Sequence, residues 1–92
     1  ATQILFFNLG IAESKNAFTI MQQLRAGGIR CEMYHELSKF DKQFKYAEKK
    51  NIPYIVIIGT KEMEDGNCTL KDLRTGNQKT IPQQQLVEEI FS

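Results

Sequence analysis

The residues best suited to hold a ligand lie in a lysine-rich segment, residues 39–50. If this segment is helical, one flank carries side chains at i, i+4, i+7 and i+11: Lys39, Gln43, Tyr46 and Lys50. Ammonium groups bind phosphates, an amide hydrogen-bonds the edge of a base, and an aromatic ring stacks on its face. The flank is therefore suited to unpaired nucleotides, but an ordinary amphipathic helix with a lysine-rich outer face has the same pattern.

Residue types that carry catalysis or bind metals are sparse. The single histidine is His35, and Cys31 and Cys68 form no C-x-x-C pair, so we predict no zinc site and expect two buried free thiols. No G-x-G-x-x-G or Walker A sequence follows the first apolar run, which argues against a dinucleotide or P-loop site. Three acids within residues 62–65 lack EF-hand spacing and are typical of a solvated loop.

Length and composition predict a single globular domain, residues 1–92, with 41% hydrophobic residues. The net charge of +1 excludes a generally basic nucleic-acid coat, so any RNA binding requires a local site. No apolar run is long enough to cross a membrane, and the N-terminal segment lacks the features of a signal peptide. Because the first residue is not methionine, we expect a piece of a longer chain.

The elements that must position these residues alternate between strand and helix signals. An apolar run at residues 3–8 predicts a strand, and helical periodicity over residues 12–25 ends at the Gly27-Gly28 pair. A second strand at residues 29–34 would complete a right-handed crossover with parallel strands. The helix at 39–50 should begin after Ser38 as its N-cap.

The buried stripe of that helix is predicted to consist of Phe40, Phe44 and Ala47. The remaining elements are a central strand at 54–58, a loop at 60–66, strands at 67–73 and 78–81 joined by a turn, and a helix after Pro82. The predicted fold is α/β with three layers: three parallel strands and an antiparallel hairpin form a five-stranded mixed sheet with three helices, in the order βαβαβββα.

Ligands of open α/β sheets bind beyond the carboxyl ends of the parallel strands. In this sequence those ends are residues 8–11, 35–38 and 59–64. The amino end of the helix at 39–50 lies at the same edge and offers free backbone N–H groups to a phosphate. We therefore expect a binding crevice at this edge.

Several short stretches carry a family resemblance. They are Lys39-Phe-Asp-Lys-Gln43, Lys45-Tyr46-Ala47, Ile52-Pro-Tyr-Ile-Val-Ile-Ile-Gly59 and Lys71-Asp72-Leu73-x-Thr75-Gly76-x-Gln78. Together they resemble the anticodon-binding domain of class IIa aminoacyl-tRNA synthetases, and the Lys45 and Lys71 stretches are most similar to the histidyl branch.

This resemblance implies a C-terminal domain of a longer, dimeric, cytoplasmic ligase. Its function would be to recognise the anticodon loop of a histidine-specific tRNA, and its partners would be that tRNA and a second copy of the full-length protein. The resemblance implies no cofactor in this domain, since ATP and Mg²⁺ would serve a catalytic domain upstream. This chain would carry no catalytic residue.

The resemblance also assigns roles to individual residues. Glu62 matches a loop carboxylate used on an anticodon base, and one carboxylate can accept both N–H donors of the guanine pairing edge; the alternative is that Glu62 merely caps its loop. Lys71 matches a hairpin position that contacts bases, although lysine lacks the bidentate fork of arginine. Asp41 stands where many relatives have lysine, which weakens the local positive field.

Five further residues are expected around the anticodon loop. Lys39 would bind a phosphate and Gln43 an exposed base edge, while Asn8 and Gly10 would form the floor of the crevice. Tyr46 would either stack on a base or pack at the boundary between helix and sheet.

Two other functions remain open on the sequence. Domains like those of the histidyl branch also occur in non-catalytic modules that sense tRNA or mediate dimerisation, and the sequence upstream would distinguish these from a ligase. A doubly wound domain that binds a nucleotide or flavin is the third possibility, although the glycine fingerprint it requires is missing.

Overall fold

Short apolar runs of strand length build the sheet, and longer runs with helical period build the layers on either side. The computed structural model describes residues 1–91, the last of them without its side chain. Its elements are β1 (Ile4–Phe6), α1 (Ile11–Ala26), β2 (Cys31–Met33), α2 (Phe40–Lys49), β3 (Tyr54–Ile57), α3 (Thr60–Asp65), β4 (Asn67–Asp72), β5 (Gln78–Pro82) and α4 (Gln83–Phe91).

The five strands form one mixed sheet in the order β2-β1-β3-β4-β5. Strand β1 pairs in parallel with both neighbours, so that Ile4 lies beside Cys31 on one side and Tyr54 on the other. Strands β3, β4 and β5 run antiparallel to one another. The predicted α/β class, with three parallel strands and an antiparallel hairpin, is confirmed.

The two faces of the sheet bury separate cores because side chains alternate along each strand. On one face, β1 and β3 pack against α1 and α4; the core there includes Ile4, Phe6, Met21, Leu24, Val56, Cys68 and Leu86. On the other face, the sheet packs against α2; this core includes Leu5, Phe7, Tyr34, Ala47, Ile52, Ile55 and Ile57. Lys71 and Thr69 pair with Ile55 and Ile57 in register, so they project on the α2 side of the hairpin.

One predicted loop is a helix. Residues 60–66 were expected to be irregular, but Thr60–Asp65 forms α3, the fourth helix. The Glu62 carboxylate accepts a hydrogen bond from the Gly59 N–H at 3.1 Å, which satisfies a donor that the first turn leaves unpaired. Gly66 ends the helix in the left-handed conformation, with φ of 72°. Two local caps thus stabilise a helix too short for periodicity to reveal.

The start of α2 and the burial of two of its residues also differ from the prediction. The helix begins at Phe40, and Lys39 occupies the cap position with no side-chain hydrogen bond, so the prediction of Ser38 as N-cap was wrong. Phe40, expected in the buried stripe, is 48% exposed, whereas Gln43 is fully buried. Ala47 is buried as predicted.

The two cysteines are buried and unpaired, as expected. Burial raises the pKa of Cys31 and of Cys68 to about 11. None of the helices in the described part of the chain is long and apolar enough to span a bilayer.

Candidate nucleic-acid interface

A buried amide ties the amino end of α2 to the end of β1. The Gln43 Oε1 atom accepts a hydrogen bond from the Asn8 backbone N–H at 2.8 Å. Its Nε2 atom donates to the backbone oxygens of Asn8 and Ser38, both at 2.9 Å. Strand β1 ends at Phe6, so the backbone groups of Asn8 have no partners in a neighbouring strand. The Gln43 amide supplies the partners they need.

The placement of Gln43 corrects the expectation that it borders the ligand. Its side chain lies in the interior, and all the hydrogen bonds described for its amide are with the protein backbone. Asn8 is likewise engaged: its Nδ2 donates to the Tyr34 oxygen at 3.3 Å, and its Oδ1 accepts from Gly10 N and Ser14 Oγ. Both residues position the strand ends, and the hydrogen bonds described for their side chains are all with the protein itself.

Gly10 fixes the entry to α1. Its φ of 136° is accessible almost exclusively to glycine, and a Cβ atom there would meet the Glu13 Oε1 at 2.7 Å. The position therefore requires glycine for backbone reasons. Gly10 also borders a surface groove, described below, and its place at the floor of the anticodon crevice stays a prediction.

Tyr46 packs at the boundary between α2 and β2, which was one of its two predicted placements. Its hydroxyl donates to Glu32 Oε1 at 2.9 Å, and this hydrogen bond raises the tyrosine pKa. Its ring meets Tyr34 edge-on at 5.2 Å between centroids, with the Lys50 Nζ 6.0 Å from the ring centre. The predicted row of α2 side chains is thus only partly exposed.

Aromatic rings and lysines come together on the other flank of α2. The buried Phe7 ring makes edge-to-face contacts with Phe40 at 5.6 Å and Phe44 at 4.9 Å between centroids. The Lys71 Nζ lies 5.1 Å from the centre of the Phe44 ring, and Lys39 precedes the exposed Phe40. We call this surface the α2–hairpin face; it consists of Lys39, Phe40, Phe44 and Lys71, with the exposed Gln78 and Thr80 of β5.

Two lysines of α2 are paired with acids. Lys42 contacts Glu36 at 3.1 Å, which lowers the pKa of that carboxyl, and Lys45 contacts Asp41 at 3.3 Å. Asp41 therefore neutralises a neighbouring lysine, as its charge suggested. Within residues 1–91, Lys39 and Lys71 form no ion pair, so they are the cations of this surface open to a phosphate.

Glu62 lies in α3, at the carboxyl edge of the sheet. It is half-buried and makes the capping hydrogen bond to Gly59, which supports the structural role considered for it. The described residues contain no ion pair between Glu62 and Lys39 or Lys71. A carboxylate has lone pairs for more than one donor, so this bond leaves capacity for a base.

An apolar groove lies on the opposite side of the same edge. Its volume is about 800 Å³, and we call it the α1 groove. Its lining consists of Asn8, Gly10, Ile11, Ser14, Lys15, Phe18, Met33 and Leu37. Ile11, Phe18 and Leu37 are all largely exposed for apolar residues.

Sequence reasoning missed Phe40 as a surface residue. Its spacing from Phe44 and Ala47 is that of a core stripe, and nothing in the helical pattern distinguishes it from a core residue.

Metal ligands are not brought together: no three His, Cys, Asp or Glu side chains in residues 1–91 converge in a way that could hold an ion. The single histidine, His35, is exposed and lies 3.3 Å from Glu36.

Known proteins are similar to this chain in sequence and in fold. Residues 3–92 match the family described as the anticodon binding domain. The histidine–tRNA ligase of Bacteroides fragilis is 38% identical over 86 residues, which is 94% of this chain and 19% of that protein. The chain therefore spans about a fifth of the length of the curated relatives it matches.

Solved structures agree. The histidyl-tRNA synthetase from Nostoc sp. PCC 7120 superimposes with a TM-score of 0.92 and 32% identity, over 98% of this chain and 22% of that one. The apo S. aureus histidyl-tRNA synthetase has a TM-score of 0.88 over 99% of this chain and 23% of its own; at 24% identity it supports the fold alone. The match over nearly all of its length shows that this chain belongs to the family of anticodon-binding domains.

Proposed function

We propose that this chain is the domain with which a histidine–tRNA ligase recognises the anticodon of its tRNA. The observation that carries the proposal is the α2–hairpin face, where two lysines with no ion pair among the described residues flank exposed aromatic surface in a chain of this family. Such a face combines phosphate binding with base contacts, which is how proteins recognise single-stranded loops. The names of the relatives supply the histidine specificity.

Each residue of the site has a role that its chemistry supports. Lys39 and Lys71 bind backbone phosphates as single charges, since an ammonium group cannot make the paired contacts of arginine. Glu62 accepts the N1–H and N2–H₂ donors of an anticodon guanine while its capping bond to Gly59 holds the carboxylate in place. Asn8, Gln43 and Gly10 act indirectly, by fixing the backbone beneath the site.

The properties of the longer protein form part of the same proposal. The aminoacylation reaction, with its ATP and Mg²⁺, belongs to the part of such a ligase that lies outside this domain, and the ligase acts as a homodimer in the cytoplasm. The relatives that match are named as ligases, which favours this function over a non-catalytic tRNA sensor. Membership of the anticodon-binding family likewise disfavours a nucleotide or flavin domain.

The test compares two RNA stem-loops that differ only in the anticodon. One carries the histidine anticodon GUG, and the other has its guanines replaced by adenines. We expect Glu62→Ala to weaken binding of the GUG loop by about 1–3 kcal/mol, and to weaken binding of the altered loop much less. The measurement is a titration of the chain with fluorescently labelled RNA at fixed salt.

Two control variants separate base recognition from helix capping. Glu62→Gln keeps an oxygen acceptor for Gly59 but presents an amide to guanine, so it should fold normally and still lose the preference for GUG. Glu64→Ala, at an exposed position of the same helix, should leave the affinities for the GUG loop and for the altered loop unchanged. Equal losses on both loops would remove Glu62 from recognition, and no binding of either loop by the wild type would refute the proposed function.

A further inference from the structure

We propose that Phe40 is a stacking platform for one unpaired base of the bound RNA loop. The inference rests on the proposed function and names a contact residue that sequence reasoning had assigned to the core. Bases of any identity present a π face, so stacking contributes affinity without selecting a sequence. Phe40 would therefore supply binding strength, while Glu62 supplies discrimination.

The Phe40 ring is exposed and also held in place. About half of its surface faces solvent, while its edge-to-face contact with Phe7 fixes it at an interplanar angle of 80°. Phe7 is 3% exposed and is itself held by Phe44 at 79°. A ring supported in this way loses little conformational freedom on binding, which favours its use as a rigid contact surface.

Phe40 is the first residue of α2 and lies on the same side of the helix as Gln43, Phe44 and Ala47. One turn further along that side, Gln43 is fully buried and bonds the backbone of Asn8 and Ser38, which fixes the start of the helix and leaves Phe40 half exposed at its end. A half-exposed phenylalanine forgoes part of the stabilisation that full burial would give. A base that covers the ring would recover this hydrophobic contribution in the complex.

The charges around Phe40 favour RNA over an apolar partner. Lys39 is the preceding residue, and Lys71 lies over the Phe44 ring on the same face. Phosphates on both sides of a stacked nucleotide would find these cations within the same surface. Phe18, which is equally exposed on the other side of the sheet edge, lines a groove whose walls are mainly apolar.

The experiment uses the GUG stem-loop with 2-aminopurine placed in turn at each loop position, because stacking on an aromatic ring alters the fluorescence of this base. The variant Phe40→Leu keeps an apolar contact with Phe7 but has no π face. We expect it to weaken RNA binding roughly 5- to 150-fold, the range for one base–aromatic stack. The same variant should restore the fluorescence of 2-aminopurine at one loop position alone.

Matched variants make the result decisive. Phe40→Trp should bind at least as tightly as the wild type, and its indole fluorescence should be quenched by unlabelled RNA. Phe18→Leu should leave affinity and 2-aminopurine fluorescence unchanged. Circular dichroism and thermal unfolding of each variant establish that the fold is retained.

The outcomes distinguish this inference from the function on which it rests. If the wild type binds the GUG loop and Phe40→Leu binds it equally well, the stacking role is overturned and the proposed function stands. Loss of affinity in Phe40→Leu without any position-specific change in fluorescence also overturns stacking. If the wild type binds no stem-loop, the proposed function itself fails.

Discussion

The α2–hairpin face and the α1 groove adjoin the same edge of the sheet, and each exposes about half of a phenylalanine, 48% for Phe40 and 50% for Phe18. Their surroundings differ. Phe40 has Lys39 beside it in sequence and Lys71 on its face, whereas Phe18 shares its groove with Ile11 and Leu37. An exposed ring is therefore uninformative by itself, and the neighbouring charges determine which ligand chemistry it suits.

Asn8 lies at the boundary between the two regions. On the α2 side its backbone is bonded by the buried Gln43 amide, and on the α1 side its side-chain oxygen accepts from Ser14. The α2 side is thus anchored by long-range hydrogen bonds in the interior. On the α1 side, the Asn8 side chain is held by a residue only six positions along the chain.

The largest expected effect comes from removal of the anchor on the α2 side. Gln43→Met keeps the volume of the side chain but leaves the Asn8 and Ser38 backbone groups without partners, so we expect the free energy of unfolding to fall by about 2–4 kcal/mol. The measurement is urea denaturation. Ser14→Ala, the matched change on the α1 side, should cost about 1 kcal/mol. Equal losses would show that the two regions are anchored alike.

The next largest effect concerns RNA affinity, which should fall when lysines are removed from the α2–hairpin face and should not fall when one is removed from the α1 groove. We expect Lys39→Ala combined with Lys71→Ala to weaken RNA binding about 30-fold, at roughly 1 kcal/mol for each lysine. The slope of log K against log salt should become shallower by about 0.7 for each phosphate that the variant no longer binds. The control is Lys15→Ala in the α1 groove, which should bind normally; a comparable loss for Lys15 would place RNA across both regions.

The smallest expected effect is on the dependence of stability on pH. A hydrogen bond from Lys42 lowers the pKa of Glu36 on the α2 side, and one from Thr60, 2.7 Å away, lowers that of Glu13 on the α1 side. A lowered carboxyl pKa stabilises the fold above the ordinary value of 4.5, and this contribution is lost as the pH falls through the folded-state pKa.

Glu36→Gln and Glu13→Gln should therefore each lower Tm slightly at pH 7 and flatten its decline below about pH 4.5. The measurement is thermal unfolding between pH 3 and pH 7. Both carboxylates lie at the surface, so the two variants should behave alike. If Tm fell much more steeply below about pH 4.5 in one variant than in the other, the two carboxylates would contribute unequally to stability, and the two regions would differ in stability as well as in binding.

Much of the fold could be predicted because its signals are local. Residues close in sequence are enough to recognise the apolar runs of β1 and β3, the glycine pair after α1 and the turn before β5. These signals predict the strand directions that the sheet has. The helix α3 was missed because its six residues are too few for periodicity, although Gly59 and Glu62 already have the spacing of a cap. Lys39 was identified as a candidate contact by its place in the helical row and by resemblance, and Lys71 by resemblance alone, whereas Phe40 was predicted to be buried.

By itself, the sequence determined the mixed sheet and the order of every element except α3, because hydrophobic period and turn residues act over a few positions. It also predicts the edge at which a ligand should bind. Only the tertiary structure decided which residues on the inner side of α2 are buried. The Asn8 backbone lies 35 residues from Gln43 in the chain and bonds its amide in the interior, whereas Phe40, at the start of the helix, is half exposed. A hydrogen bond across that separation leaves no trace in the helical pattern of residues 40–49.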